Sequence, residues 1–180
     1  FLFLEFEKTF SDIDWNFPEY GKLWTYNLNY FDFLNQEEIS KEQGINLIKD
    51  YISKKQDIKD GLEPYPISLR GINWVKFLAK NEIIDEEIND CLYQDYLRLG
   101  VNLEYHLLAN HLLENGISLL FGAYYFNNEA FYSKAKEIIL AQLEEQILND
   151  GAHYELSPMY HQIILHRVLD CINLIGKNPW

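Results

Sequence analysis

The stretch ILNDGAHYELSPMYHQIILHRVLDCINL (147–174) decides how the chain is to be read. Asp150-Gly151 marks a turn, and Ser157-Pro158 supplies an N-cap followed by proline at the first helical position. The apolar residues beyond it run at helical spacing, so a helix is predicted to about residue 175, closed by Gly176. Working back, residues 129–148 carry Ala135, Ile138, Ile139, Leu143 and Ile147 on one helical face. Helical pattern also covers about 103–126 and 84–99, with Gly100 as an interruption between them. Ser68 is placed to cap a helix over roughly 69–80, after a loop at 56–66 holding Gly61, Pro64 and Pro66. Asn35 to Glu38 resembles a capping box that opens a helix to about 55.

Residues 1–34 differ. They are irregular and aromatic, and WTYNLNYFDFL (24–34) partly alternates, as a short strand would. The expectation is an all-α chain of six or seven helices in antiparallel pairs. Residues 1–34 form an aromatic N-terminal arm of the same domain, and 35–180 form the helical body. Such pairs suit a bundle, a solenoid or part of an α/α toroid, and the pattern alone does not choose among them.

At 180 residues, 48% apolar and 24% charged, the chain is globular rather than disordered. Aromatics reach 16%, a surplus that an aromatic-lined carbohydrate cleft would absorb. The formal net charge of -13 argues against a nucleic-acid binder, which needs a basic face. No apolar run reaches the roughly 18–20 residues of a membrane span. Cys91 and Cys171 stand far apart among apolar neighbours and read as buried free thiols, with a single disulfide between them as the alternative. The chain begins at Phe1 without Met and ends at Trp180, and it is read as a piece of a longer protein.

All five histidines lie between 106 and 166. His106/His111 and His161/His166 are five residues apart, about 140° on a helix, so neither pair shares a face as metal ligands would. No metal site and no cofactor is expected, and His106 and His166 read as scattered positions. The loop 149–161 is dense in His153, Tyr154, Glu155, Tyr160 and His161, groups that move protons and bind polar ligands. Tyr160 falls in the first turn of its helix, where the helix dipole favours negative charge. The competing reading is a packed tyrosine with its hydroxyl on a backbone group. Asn110 precedes His111 where it either caps a helix or offers its amide to a ligand carboxylate. Arg70, Asn73, Trp74 and Phe77 share one helix face, suited either to a sugar or to ordinary helix packing.

Four blocks then carry a resemblance: NLNYFDFL (27–34), EPYPISLRGINW (63–74), LEYHLLANHLLENGISLLFGAYYF (103–126) and 147–174. In this order they resemble the N-terminal toroid of heparinase II/III-like proteins. The resemblance implies a partial (α/α) toroid, which in the family is followed by further toroid helices and a β-sandwich. It implies a bacterial polysaccharide lyase acting by β-elimination on a uronate-containing polysaccharide or oligosaccharide, periplasmic or secreted, with a cytoplasmic location left open. By the same resemblance Asn110 neutralises the uronate carboxylate with His111 beside it, and Tyr160 carries the proton. Arg70, Asn73, Trp74, His153, Glu155 and His161 are expected to bind substrate. A further catalytic histidine is expected from the β-sandwich, so residues 1–180 alone are expected to be inactive. Two alternatives stand beside this: a non-catalytic glycan-binding or assembly module in capsule or exopolysaccharide production, and a purely structural helical repeat.

Overall fold

A computed structural model of the chain describes residues 1–107 and 110–180. Seven α-helices and one two-stranded hairpin are found among them, and 66% helix makes the chain all-α. It divides into two compact units, Phe1–Asp95 and Tyr96–Trp180.

The first unit opens with β1 (Leu2–Phe3) and β2 (Phe6–Glu7), antiparallel across Leu4 and Glu5, both at positive φ. That is the backbone a two-residue hairpin turn requires. The stretch expected as a strand is instead helix α1 (Lys22–Tyr30). Trp24, Leu28 and Phe31 recur at i, i+4 and i+7 and are fully buried, so the period of 3.6 prevails over the partial alternation. Residues 1–34 thus hold a hairpin and a helix, knitted by ring contacts. Phe1 meets Phe33 edge-on at 5.0 Å and Phe3 meets Trp24 at 5.2 Å.

Helix α2 (Lys41–Lys54) begins at a capping box formed by Ser40 and Gln43, not at Asn35. Asn35 closes a 3₁₀ turn and directs its amide to Asn73 Oδ1 (3.2 Å). Helix α3 (Pro64–Lys80) starts four residues before the predicted Ser68 cap. Its two prolines sit in the first turn, whose N–H groups lack helical partners in any case. Helix α4 (Glu86–Val101) runs through Gly100 without a break and crosses the boundary between the units.

α2 and α3 pack antiparallel, since Gly44 lies against Phe77 and Tyr51 lies against Trp74 and over the Arg70 guanidinium. A β-carbon at Gly44 would overlap the Phe77 ring, which is itself buried. Gly44→Ala is expected to destabilise by about 1–3 kcal/mol, the usual cost of overpacking. A lowered urea midpoint at constant m-value checks it; an unshifted midpoint refutes the close approach.

Part of the aromatic surplus is core. Trp15 stacks on Phe31 (4.9 Å, 14°), and Tyr51 and Trp74 meet Phe31 edge-on at 5.2 and 5.4 Å. All four rings are buried, so the expectation of a sugar-lining surplus does not hold for them.

In the second unit, helix α5 spans Asn110–Phe126, and the predicted helical residues 103–107 are not part of it. Residues 103–107 are turns and irregular chain, and the predicted helical residues 108 and 109 lie outside the described residues. Helix α6 (Glu129–Gln146) follows after Asn127 at positive φ, with Asn128 capping the Phe131 N–H (3.0 Å). A two-residue link and the packing of Gly116 against Ile138 make α5 and α6 an antiparallel hairpin. Helix α7 (Pro158–Lys177) opens at Ser157-Pro158 as predicted. Two contacts set its direction. Arg167 Nε donates to Glu114 (2.9 Å), and Trp180, beyond the end of α7, meets Tyr124 near the end of α5 (5.1 Å). α5 and α7 therefore run parallel, and their N-terminal turns lie at the same end of the second unit.

Candidate functional site

That end carries the Asn-His and Tyr-His pairs. Asn110 is the first residue of α5 and is buried; His111 follows and is partly exposed. Tyr160 and His161, both half-buried, stand in the first turn of α7. The Ser157 carbonyl accepts the His161 N–H (2.9 Å), and no side chain caps the turn. Helix N-termini carry partial positive charge, so two of them at one end favour an anionic group.

The loop leading to α7 is fixed by its own hydrogen bonds. Gly151 takes positive φ in the turn, Leu148 N–H donates to Ala152 O (2.9 Å) and Tyr154 N–H to Gln146 O (2.8 Å). His153, expected to bind substrate, is sealed beneath this loop with 1% exposure. Its partners fix its tautomer. Gln142 Nε2 donates to the Glu145 carboxylate, Gln146 Nε2 donates to Gln142 Oε1 (2.7 Å), and Gln146 Oε1 is left to accept from His153 Nε2 (3.1 Å). Burial pushes the His153 pKa below the ordinary histidine value, which favours the neutral ring. Glu155 has a buried carboxylate oxygen beside the same loop. The outer face of the loop is a shallow hollow of about 430 Å³, edged by Leu156, Pro158, His161 and Gln162. His153 and His161 both line this hollow; His161 and Glu155 are half-buried, whereas His153 is almost fully covered.

His111 belongs to a network. Its Nδ1 lies 3.2 Å from Glu104 Oε1. The other carboxylate oxygen of Glu104 accepts from Asn115 Nδ2 (3.0 Å), and Asn115 Oδ1 accepts the Glu104 backbone N–H (3.0 Å). Glu104 and Asn115 are buried. One turn along α5, the fully buried Glu114 is held by Arg167 through both carboxylate oxygens. Sequence reasoning singled out none of these four partners. Residues 102–107 are not helical, so no periodic spacing points from Glu104 to His111. Asn115 and Glu114 fall four and three residues after His111, the one local signal available.

Arg70, Asn73 and Trp74 belong to the first unit, where they are core groups and not ligand-facing ones. Arg70 is fully buried. Its Nε and one terminal nitrogen fork Asp95 (3.1 and 2.9 Å), and the other donates to the carbonyls of Gly61 (2.9 Å) and Asn29 (3.3 Å). The carboxylate it was expected to meet on a sugar is met on the protein instead. Lys55 Nζ holds the second oxygen of Asp95 (2.6 Å). Burial works against ionisation of Asp95, but the charges of Arg70 and Lys55 prevail and hold its pKa below the usual carboxylate range. Asn73 donates to the Tyr30 carbonyl (2.9 Å) and Trp74 sits in the aromatic cluster. His106 and His166 are exposed, in line with their reading as scattered positions. Among the described residues no helix is long and apolar enough to cross a membrane.

A family model described as the Heparinase II/III N-terminus matches residues 67–179. The match spans α3 to α7 and includes Asn110, His111 and Tyr160. Searches of curated proteins and of solved structures give no match. The N-terminal domain of the matched family is an α-toroid, in keeping with the helix pairs of this chain. With well over half of its length inside that match, the chain belongs to the heparinase II/III family, through the family's N-terminal domain.

Proposed function

We propose that the protein is a polysaccharide lyase that cleaves a uronate-containing glycan by β-elimination. The observation that carries this reading is the parallel course of α5 and α7, which puts Asn110-His111 and Tyr160-His161 at one end of the second unit. In the reaction a base takes the proton on the carbon next to the uronate carboxylate. The electron pair forms a carbon–carbon double bond, the glycosidic bond at the neighbouring carbon breaks, and the leaving oxygen takes a proton. The first step is hard because negative charge builds beside a carboxylate. Asn110 and the positive helix ends stabilise that charge, as donors fixed in advance do in an oxyanion hole. Tyr160 carries the proton, His111 stands beside the carboxylate, and His161 borders the bound sugar.

The net charge of -13 disfavours a densely sulfated chain and favours a lightly charged uronate polymer. The test uses full-length protein with alginate, chondroitin and heparan sulfate, following ultraviolet absorbance of the unsaturated product. Product from at least one polymer is expected. Binding without product supports the glycan-binding module, and neither binding nor product overturns both readings.

A further inference from the structure

We propose that Glu104 is the positioning residue for His111: it sets the tautomer that leaves the Nε2 lone pair as a proton acceptor. The proposal rests on His111 belonging to the lyase site above, and it gives that site a second proton acceptor beside Tyr160. An ionised carboxylate only accepts hydrogen bonds, so the 3.2 Å contact between Glu104 Oε1 and His111 Nδ1 puts the imidazole proton on Nδ1. In the neutral ring Nε2 then carries the lone pair. A base oriented by a buried carboxylate in this way is the arrangement by which hydrolase triads fix their histidine.

The second half of the argument lies with Asn115. Its Oδ1 is taken by the Glu104 backbone N–H, so the group it turns to the Glu104 side chain is the Nδ2 donor. That donor demands an oxygen at Oε2 and leaves Oε1 for His111. The carboxylate is 7% exposed against 37% for the imidazole, so the orienting group is sealed and the oriented one reaches solvent.

Glu104→Gln has a defined consequence in this network. Asn115 Nδ2 still requires an oxygen, so the new amide presents its NH₂ to His111 Nδ1. Nδ1 must then accept, and the proton moves to Nε2. Shape and volume are kept while the tautomer is reversed.

The experiment is ¹⁵N NMR of the histidine side chains in full-length protein, in mildly alkaline buffer, with His111→Gln for assignment. The wild type is expected to show a protonated Nδ1 and a bare Nε2, and Glu104→Gln the reverse. With the polymer that gives product, Glu104→Gln is expected to lower kcat by about 10²–10⁴-fold with KM within a few-fold. A wild-type His111 protonated at Nε2 overturns the proposal, and that measurement needs no variant to fold. A reversed tautomer with unchanged kcat overturns it equally. If the wild type cleaves none of the polymers, the lyase reading fails, and the NMR result alone still decides whether Glu104 sets the tautomer.

Discussion

Tyr160→Phe in the full-length protein is expected to lower turnover by about 10²–10⁴-fold while glycan binding stays within a few-fold. The change removes one hydroxyl and keeps the ring, which is half-buried in the first turn of α7. Packing and the helix start at Ser157-Pro158 are untouched, so loss of rate reports the proton and not the fold. Asn110→Ala is the companion test, with an expected loss of about 2.7–4 kcal/mol of transition-state stabilisation. Because Asn110 is buried at the start of α5, its fold must be checked by circular dichroism before the rate is interpreted. Unchanged kcat in Tyr160→Phe would remove Tyr160 from the mechanism. Loss of binding together with rate would make it a packing residue.

Asp95→Ala is expected to destabilise the first unit by about 3–5 kcal/mol, measured by urea unfolding. The substitution leaves the fully buried Arg70 guanidinium without its carboxylate, and Lys55 loses the same partner. Against a typical domain stability of about 5–15 kcal/mol, that is enough to unfold a marginal unit. The acid limb follows from the same group. Asp95 has a folded pKa below its unfolded one, so its contribution is present above about pH 4 and is lost as pH falls through the folded value. Asp95→Ala should therefore lose less stability than the wild type over that acid range. A loss under about 1 kcal/mol would mean that the cluster is hydrated and not a buried ion pair.

Helices α6 and α7 were legible because their apolar residues recur at helical spacing, and Pro158 in the first turn of α7 agrees with that spacing. Helix α1 was not, because its aromatic residues satisfy a period of two almost as well as 3.6, and tertiary burial of Trp24 and Leu28 breaks the tie. The starts of α2 and α3 were displaced for a related reason. Asn35 and Ser68 are good caps in isolation, but long-range burial claims Asn35 for a turn against Asn73 and Ser68 for a helix interior. The Arg70 face was misassigned because one helix face looks the same whether a sugar or Asp95 completes it. The partner lies 25 residues away, beyond any local pattern. Glu104 was missed for the same cause on a shorter scale, since residues 102–107 are not helical and no periodic spacing links Glu104 to His111.

The aromatic cluster of the first unit has a spectroscopic consequence. Of the four tryptophans, Trp15, Trp24 and Trp74 are sealed in that unit, while Trp180 lies half-exposed, stacked on Tyr132 at 4.2 Å. Intrinsic emission of residues 1–180 is thus dominated by indoles remote in sequence from Asn110 and Tyr160. A fluorescence melt would follow the loss of the first unit and stay nearly silent while the α5 and α7 termini loosen. The single reporter in the second unit sits past the C-terminal end of α7, the opposite end from Tyr160.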